Sequence, residues 1–180
     1  MHLSEKYLSQ AAAAQNQKHY RQAIDCYDKA EQSGCQTHHL YFHRGACHYN
    51  LKHNTLAIHD LEKALQLNPE DAETANLLGN AFYNNNEFDE AIERYSRALY
   101  YNDKNYTSLH WRLLARLQLK DEEGKIINKA AAQHDADMLT PVAHQFYQLT
   151  SKEGKPLEIV AFEIGDDGTL NFKVKEKLTA

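Results

Sequence analysis

The chain has 180 residues, which is enough for one domain, with or without a small appendage. Its composition is ordinary, and the seven Gly and three Pro favour long regular elements over many turns. The formal charge of -5 favours solubility and indicates no basic surface for nucleic acid. No stretch approaches the roughly 20 apolar residues of a membrane helix. Neither nucleic acid nor a membrane is therefore expected as a partner.

The cysteines and the first residues bear on the compartment. Cys26, Cys35 and Cys47 are odd in number and lack paired spacing, so they do not indicate a disulfide framework. Reduced thiols are typical of an intracellular protein. Residues 1–10 have no apolar core, and the Ala run at 11–14 is too short for a secretion signal. A cytoplasmic protein is expected.

Three segments of the chain align without gaps at a constant interval. The interval from Ala23 to Ala57 equals the interval from Ala57 to Ala91. In the first segment Ala23, Tyr27 and Ala30 are four and three residues apart, so they share one helical face. Small Ala side chains let two helices approach closely, and the large residue fills the space beside the contact. The same face recurs as Ala57, Leu61, Ala64 and as Ala91, Tyr95, Ala98.

A second small-residue column precedes each of these segments. About a dozen residues upstream of the leading alanines lie Ala11, Gly45 and Gly79. Glycine inside a helix costs up to about 1 kcal/mol relative to Ala and is tolerated where a neighbouring helix must come near. Each repeat is therefore predicted to be two amphipathic helices joined by a short turn. Residues 68–71 and 102–105 mark the boundaries, the first with a Pro that ends a helix.

With these columns and this interval the chain resembles the tetratricopeptide repeat (TPR) family. The repeats are placed at about 4–37, 38–71 and 72–105. The third fits best, through Leu78, Gly79, Phe82, Ala91, Tyr95 and Ala98. Arg44 replaces the usual Leu of the second, while Ala11 and Cys35 replace Gly and Pro in the first. The resemblance implies an all-α fold, the TPR right-handed superhelix (α-solenoid).

Residues 106–134 are predicted to form a further helix pair with a decayed pattern. Strict continuation of the repeat would put Lys125 in an Ala column and both Arg112 and Arg116 at apolar places. A shift of two residues keeps the arginines out of the core and is preferred. It places Trp111, Leu114 and Ala115 in the family's Trp, Leu and Gly columns. Such a departure is typical of a terminal cap.

The last part of the chain changes character. A short helix is expected at 141–150, because Pro141 suits a first turn, and the TPR domain is therefore placed at 1–150. The extension, 151–180, contains an apolar run at 157–164, a Gly-Asp-Asp-Gly turn and an alternating segment. This pattern predicts a small C-terminal β-hairpin. A lone hairpin is marginal in water, so it must pack on the last helices, pair with another chain or await a partner.

The family resemblance implies a concave groove lined by the first helix of each repeat, which commonly holds an extended peptide or a partner's helix. Projection onto that geometry puts ten residues inward: His39, Phe42, His43, Tyr49, Asn50, Asn76, Leu77, Asn80, Tyr83 and Asn84. Asn76, Asn80 and Asn84 are spaced four apart and form a ladder on one helix face. Their amides can donate to and accept from a peptide backbone. The alternative is a solvated face that only keeps the protein soluble.

Three further site hypotheses concern charged groups and histidines. Arg112 and Arg116, if they point inward, could pair with an acidic group of a ligand; the alternative is a solvated face. His39 and His43 have i, i+4 spacing, but no Cys/His set with zinc-site spacing supports them. No metal and no cofactor are therefore expected. Protonation of these histidines could make binding pH-sensitive.

Some TPR domains grip the carboxylate end of the chaperones Hsp70 and Hsp90 with a Lys, Asn, Asn, Lys, Arg set. In one alignment frame the five places hold Leu8, Ala12, His43, Glu73 and Leu77. In the next frame they hold Phe42, Ala46, Leu77, Thr107 and Trp111. Neither frame supplies the set, so that co-chaperone role is not expected.

The sequence shows no motif of catalysis: it has neither a phosphate-binding Gly-rich loop nor a Gly-x-Ser-x-Gly elbow. The chain is therefore expected not to be an enzyme. The favoured hypothesis is a protein–protein interaction module that binds a peptide or partner segment in the groove, as a scaffold or adaptor. The alternative is a homo-oligomeric assembly subunit, with a homodimer formed through the C-terminal hairpin or terminal helices.

Overall fold

The computed structural model describes residues 3–151 and 155–176. Six helices come first: α1 (Leu3–Asn16), α2 (Tyr20–Gln32), α3 (His38–Asn50), α4 (Asn54–Leu67), α5 (Ala72–Asn84) and α6 (Phe88–Tyr101). They are followed by α7 (Tyr106–Gln118), α8 (Lys129–Leu139), a 3-10 helix (Thr140–Gln145), β1 (Leu149–Thr150), β2 (Pro156–Ile164) and β3 (Leu170–Glu176). No helix in these ranges combines the length and apolar character needed to cross a bilayer. The expected solenoid with a small β-structure at its end is confirmed.

The chain divides into two compact units, an N-terminal unit (Met1–Asn102) and a C-terminal unit (Asp103–Ala180). In the N-terminal unit the helices pack as three pairs, α1 with α2, α3 with α4 and α5 with α6. The second helix of each pair also packs on the first helix of the next pair within this unit. The boundary between the units lies at residue 102, whereas the sequence predicted the end of the helical domain at 150. The difference arises because α7 packs on α8 and α8 packs on β2, so the fourth helix pair belongs to the same unit as the sheet.

The backbone repeats with the sequence interval. Thr37, Asp71 and Asn105 lie one repeat interval apart and cap α3, α5 and α7, each side chain accepting a hydrogen bond from the N–H three residues on. Inside each hairpin a left-handed residue turns the chain, and these are Lys18, Lys52 and Asn86, with φ of 61°, 64° and 63°. Equivalent segments therefore occupy equivalent places in successive hairpins.

The small-residue columns are the contacts between paired helices. Ala23, Ala57 and Ala91 are fully buried. Gly79 lies so near the ring of Tyr95 that a Cβ there would be 2.6 Å from Tyr95 Cε1. At Gly45 the corresponding distance is 2.9 Å to Leu61 Cγ. The glycines are therefore required by close approach of the second helix.

Helix α7 corrects the predicted register of the fourth pair. It begins and ends one repeat interval after α5, as strict continuation of the repeat requires, so the shift by two residues is wrong. Leu113, not Ala115, occupies the column of Gly79, and it is fully buried. Arg112 and Arg116 consequently occupy the columns of Leu78 and Phe82. They are only 15% and 18% exposed, because both bind the buried Asp135 of α8.

Helix α8 lies in a register of its own. The segment 119–128 lengthens the turn, so Ala132, Ala136 and Leu139 follow Ala91, Tyr95 and Ala98 at more than one repeat interval. All three are fully buried. Ala136 stands where the earlier repeat has the large Tyr95, and Leu139 stands where it has the small Ala98. The Ala, large residue, Ala pattern is therefore not visible in this part of the sequence.

The predicted hairpin is present as β2 and β3, and β1 adds a short third strand in the order β1-β2-β3. Both pairings are antiparallel, with Phe162 opposite Phe172 and an irregularity between Ile159 and Ala161. The helix expected at 141–150 is instead the 3-10 helix followed by β1. Residues 152–154 and 177–180 of the predicted extension lie outside the described residues.

The sheet packs on the helices of its own unit, which is the first of the three alternatives. Strand β2 contacts α8 and the 3-10 helix. The Gln133 side chain in α8 donates to Phe162 O at 2.9 Å and accepts from Ile164 N at 3.2 Å. The Tyr147 ring packs against Phe162 and Phe172 at 5.7 and 5.0 Å. The hairpin is therefore stabilised from within the chain.

Candidate functional site

Helices α3 and α5 of the N-terminal unit carry ten of the twelve predicted site residues, and these ten are called the inner face. None of them is buried. His39, Asn50 and Asn84 are exposed, and the other seven are half-buried. The core sides of the two helices are formed by other residues, among them Leu40, Arg44 and Leu78. The inner face is therefore partly exposed in the N-terminal unit.

At the start of α3 the inner face is a cluster of rings. His43 stacks on His39 at 6.5 Å and on Tyr27 of α2 at 6.4 Å, with the Phe42 ring edge-on at 5.1 Å. The Nδ1 atom of His43 is buried and has no hydrogen-bond partner among the described residues. Burial, followed by the nearness of His39, lowers the pKa of His43. A neutral imidazole is favoured because the charged form needs partners for both nitrogens.

His38 ties this cluster to the next repeat. Its Nε2 lies 3.1 Å from Asp71 Oδ2 and 3.1 Å from Thr74 Oγ1. Asp71 caps α5, so the contact fixes the start of α5 against the start of α3. The pKa of Asp71 is lowered: burial opposes this, but hydrogen bonds from Thr74 and the neighbouring His38 outweigh it.

At the other end of the inner face, a buried tyrosine hydroxyl binds one amide of the asparagine ladder. Tyr95 of α6 donates its hydroxyl hydrogen to Asn80 Oδ1 at 2.8 Å. Burial first, then the neighbouring phenols of Tyr49 and Tyr83, raise the pKa of Tyr95 well above its ordinary value. Tyr83 also contacts Phe88 edge-on at 5.3 Å. The two inner-face tyrosines and Asn80 therefore lie around one buried hydroxyl.

The asparagines of the inner face are not equivalent. Asn80 has its carbonyl oxygen engaged by Tyr95, whereas Asn84 is exposed at the end of α5. Asn76 is half-buried beside Leu77. The side-chain amide of Asn50 makes a hydrogen bond within its own helix, donating to Ala46 O at 2.7 Å. The ladder predicted on α5 is thus a set of amides in different surroundings.

Arg112 and Arg116 do not belong to the inner face. They lie in the C-terminal unit, where Arg112 donates to both Asp135 oxygens, at 3.0 and 2.6 Å. Arg116 binds the same carboxylate and the Ala131 carbonyl. Asp135 is fully buried, so the predicted solvated face is wrong and the acidic partner is the chain's own. The two arginines serve the core of the fourth helix pair.

Two features of the structure were missed from the sequence. One is the hydroxyl of Tyr95, which the repeat pattern treats only as a large core residue. The other is the buried network around Arg44, which binds Asp28, Glu31 and Asp60. An arginine in a column otherwise held by Leu signals such a network, because a buried guanidinium requires carboxylate partners.

The described residues offer no cluster of ligands for a metal ion. No group of three or more His, Cys, Asp or Glu side chains suited to a metal occurs among residues 3–151 and 155–176.

In the C-terminal unit a cavity of about 410 Å³ lies between the 3-10 helix and β2, beside His144, Tyr147 and Ile159. Its walls are mixed polar and apolar, and this cavity is separate from the ten residues of the inner face.

Comparison with known proteins places the chain in a family. Two family models, both described as tetratricopeptide repeat, match residues 8–72 and 52–117. The heat shock protein STI1 of Saccharomyces cerevisiae is 35% identical over 97 residues, which are 53% of this chain and 16% of that protein. The chain therefore spans only a small part of that relative's length.

Solved structures show the same fold at low identity. YrrB, described as a TPR protein with an unusual peptide-binding site, superposes with a TM-score of 0.70 at 19% identity, over 79% of this chain and 70% of that one. The first TPR of Spaghetti (RPAP3), bound to the HSP90 peptide SRMEEVD, gives 0.60 at 22% identity, over 63% and 90%. With the family models spanning residues 8–117 and the repeat seen in the backbone, the chain belongs to the tetratricopeptide repeat family.

Proposed function

We propose that the inner face of the N-terminal unit binds an extended segment of another polypeptide, so that the chain acts as an interaction module, a scaffold or an adaptor. The observation that carries this proposal is the row of exposed or half-buried amides on α5, flanked by half-buried aromatic rings on α3 and α5. The cores of the helix pairs are formed by other residues. The surface of these side chains is therefore accessible to a ligand.

The chemistry of the face suits a peptide backbone. Side-chain amides both donate and accept hydrogen bonds, so they match the alternating N–H and C=O groups of an extended chain. Phe42, Tyr49 and Tyr83 offer apolar surface with few rotatable bonds, which binds a partner side chain at low entropic cost. Such a face would hold the backbone through Asn76, Asn80 and Asn84 and select side chains through the rings.

The charges of the face favour a neutral or basic segment over an acidic one. The first helices α1, α3 and α5 contain two lysine or arginine cations, Lys6 and Arg44. Arg44 is buried and paired, and on α1 the exposed Lys6 is offset by the exposed Glu5. The exposed Glu73 of α5 remains, and it acts on the pKa of His43. The RPAP3 domain holds the acidic peptide SRMEEVD. The basic set expected for such carboxylate recognition is missing from the aligned positions, so a different class of peptide is proposed.

Selection from a random peptide library displayed on phage tests the proposal, because the natural partner need not be identified first. Affinities of the selected peptides are measured by fluorescence anisotropy. The double variant Asn80→Ala, Asn84→Ala should bind about tenfold more weakly or worse, since each lost hydrogen bond contributes about 1 kcal/mol. Gln22→Ala, Gln66→Ala removes two exposed amides from second helices and is the matched control. Equal affinities for both variants would overturn the proposal.

A second candidate is self-association through the sheet. In the described sheet β3 is an outer strand, and Val174 on it is 40% exposed. An open edge is a template for pairing with another copy. Lys173 and Lys175 oppose this by placing charges along the edge, although each is paired with a glutamate of β2. Light scattering of the full chain should show a dimer that Val174→Lys weakens; a monomer at all concentrations would exclude it.

A further inference from the structure

We infer that Tyr95 is a positioning residue of the inner face, which orients the Asn80 amide so that its N–H groups meet a backbone carbonyl of the bound peptide. The inference rests on the proposed function. Asn80 is the hydrogen-bond donor to the peptide, and Tyr95, on the second helix of the same pair, fixes the orientation of the Asn80 amide. The ring of Tyr95 occupies a core column of the repeat, and this explains only its packing. The positioning role is inferred from the hydrogen bond that its hydroxyl makes to Asn80.

Tyr95 is held rigidly. Its side chain is fully buried, and its ring lies against Gly79, where a Cβ would be 2.6 Å from Cε1. Close packing leaves the ring one position, and the hydroxyl therefore has one place, 2.8 Å from Asn80 Oδ1. Burial raises the pKa of Tyr95, so the phenol is protonated and a hydrogen-bond donor at neutral pH.

A phenolic donor decides which way the amide faces. Because the hydroxyl hydrogen goes to Oδ1, the amide nitrogen Nδ2 is turned away from Tyr95. That nitrogen has no hydrogen-bond partner within the part of the chain that the structure describes, and Asn80 is half-buried. Two N–H donors are thus offered at the inner face. Their complement is an acceptor, and an extended peptide presents a carbonyl oxygen at every second residue along one edge.

The other repeats provide an internal comparison. Tyr27 occupies the same column in repeat 1, but its hydroxyl donates to Gln15 Oε1 at 2.8 Å, outside the ten residues of the inner face. In repeat 2 the column holds Leu61, which has no hydroxyl. Among these three repeats, it is the third whose column reaches an inner-face amide. The control is therefore Tyr41→Phe, which removes a phenolic hydroxyl from a buried ring on the core side of α3, where it donates to Glu31 at 2.9 Å.

A double-mutant cycle with a library-selected peptide tests the inference. Tyr95→Phe keeps the ring and removes the hydroxyl, and we expect affinity to fall about three- to tenfold, as for one hydrogen bond. Tyr41→Phe should leave affinity unchanged. In the Asn80→Ala background, Tyr95→Phe should cause no further loss. Equal losses in both backgrounds, or no loss from Tyr95→Phe in the native one, would overturn the inference.

Two measurements distinguish failure of the proposed function from failure of the present inference. If Asn80→Ala, Asn84→Ala leaves affinity unchanged, the inner face is not the site and the proposed function fails. If that variant weakens binding but Tyr95→Phe does not, only the present inference fails. Peptides with one backbone carbonyl reduced to a methylene test the donor role independently of folding. Reduction at one position should weaken binding to the native chain several-fold and abolish the effect of Asn80→Ala. If no position in the peptide behaves in this way, the donor role of Asn80 is contradicted.

Discussion

Arg44 of α3 and Asp60 of α4 form a two-point ion pair, with Nε and Nη2 each 2.8 Å from a carboxylate oxygen. Both side chains are buried, at 9% and 4% exposure. The Nη1 atom of Arg44 also binds Asp28 and Glu31 of α2 at 2.6 Å. A single arginine in an apolar column thus joins three helices and links repeats 1 and 2. The charges are paired within the interior, where an isolated charge would be strongly unfavourable.

Replacing Asp60 should therefore destabilise the N-terminal unit strongly. Asp60→Ala leaves Arg44 buried without its main partner, and the expected loss is about 3–5 kcal/mol in unfolding free energy. Urea unfolding followed by circular dichroism measures it. The double variant Arg44→Leu, Asp60→Leu should recover most of the loss, because Leu78 shows that this column accepts leucine. A loss below about 1 kcal/mol for Asp60→Ala would contradict the buried pair.

Gly79→Ala should cost more stability than Gly45→Ala. The new methyl group at 79 meets the Tyr95 ring, which is packed and hydrogen-bonded, whereas at 45 it meets the more adaptable Leu61. Overpacking of this kind costs about 1–3 kcal/mol. Urea midpoints of the two variants provide the comparison. The packing account predicts a lower midpoint for Gly79→Ala, and it is inconsistent with the reverse order.

Removal of Asp135 should loosen the fourth helix pair. Asp135→Ala leaves Arg112 and Arg116 without their shared carboxylate, at an expected cost of about 3–5 kcal/mol to the C-terminal unit. Hydrogen exchange at the amides of α7 and α8 measures the loss of protection. Asp137→Ala, which changes an exposed carboxylate of the same helix, is the control. If protection in α7 and α8 were the same in both variants, the pair would not be structural.

Stability should decrease as the pH falls below about 6.5. Burial lowers the folded-state pKa of His43, His48 and His110 below the ordinary value of 6.5. The unfolded chain therefore binds protons first as the pH falls, so the neutral histidines stabilise the fold above pH 6.5 and this contribution is lost progressively below it. Urea unfolding at about pH 7 and pH 5.5 measures the change.

A histidine variant identifies the source of that pH effect. His110→Phe keeps the stacking on Phe146, whose ring lies 4.6 Å away, but removes the titrating group. We expect a smaller loss of stability on acidification than in the native chain. His19→Gln, at an exposed histidine, is the control for the substitution itself. A native response in His110→Phe would show that this histidine does not contribute.

The repeat of the N-terminal unit could be predicted from the sequence because one physical requirement recurs at a constant interval. Ala23, Ala57 and Ala91 permit close helix contact, and a substitution by a larger residue would be visible in the column. The hairpin was predictable for a similar reason, since Leu170, Phe172 and Val174 alternate with polar residues. Patterns of size and polarity report packing directly.

The register of the fourth helix pair and the contacts behind the inner face could not be predicted from the sequence. Arg112 was assigned away from the core because a lone arginine is unfavourable there, and the sequence does not show that Asp135 lies opposite it. Periodicity cannot reveal a partner that follows a lengthened turn. Likewise the pattern marks Tyr95 as a core residue, and the direction of its hydroxyl toward Asn80 depends on three-dimensional contact. The inner-face residues themselves remain a prediction about binding.

Nuclear magnetic resonance mapping tests the central claim most directly. A library-selected peptide is titrated into the ¹⁵N-labelled full chain, and the side-chain amide and backbone signals are followed. We predict that the largest shifts occur at the Asn76, Asn80 and Asn84 amides and around Tyr83. Shifts confined to the C-terminal unit, for example beside Ile159 at the cavity, with the asparagine signals unmoved, would contradict peptide binding at the inner face.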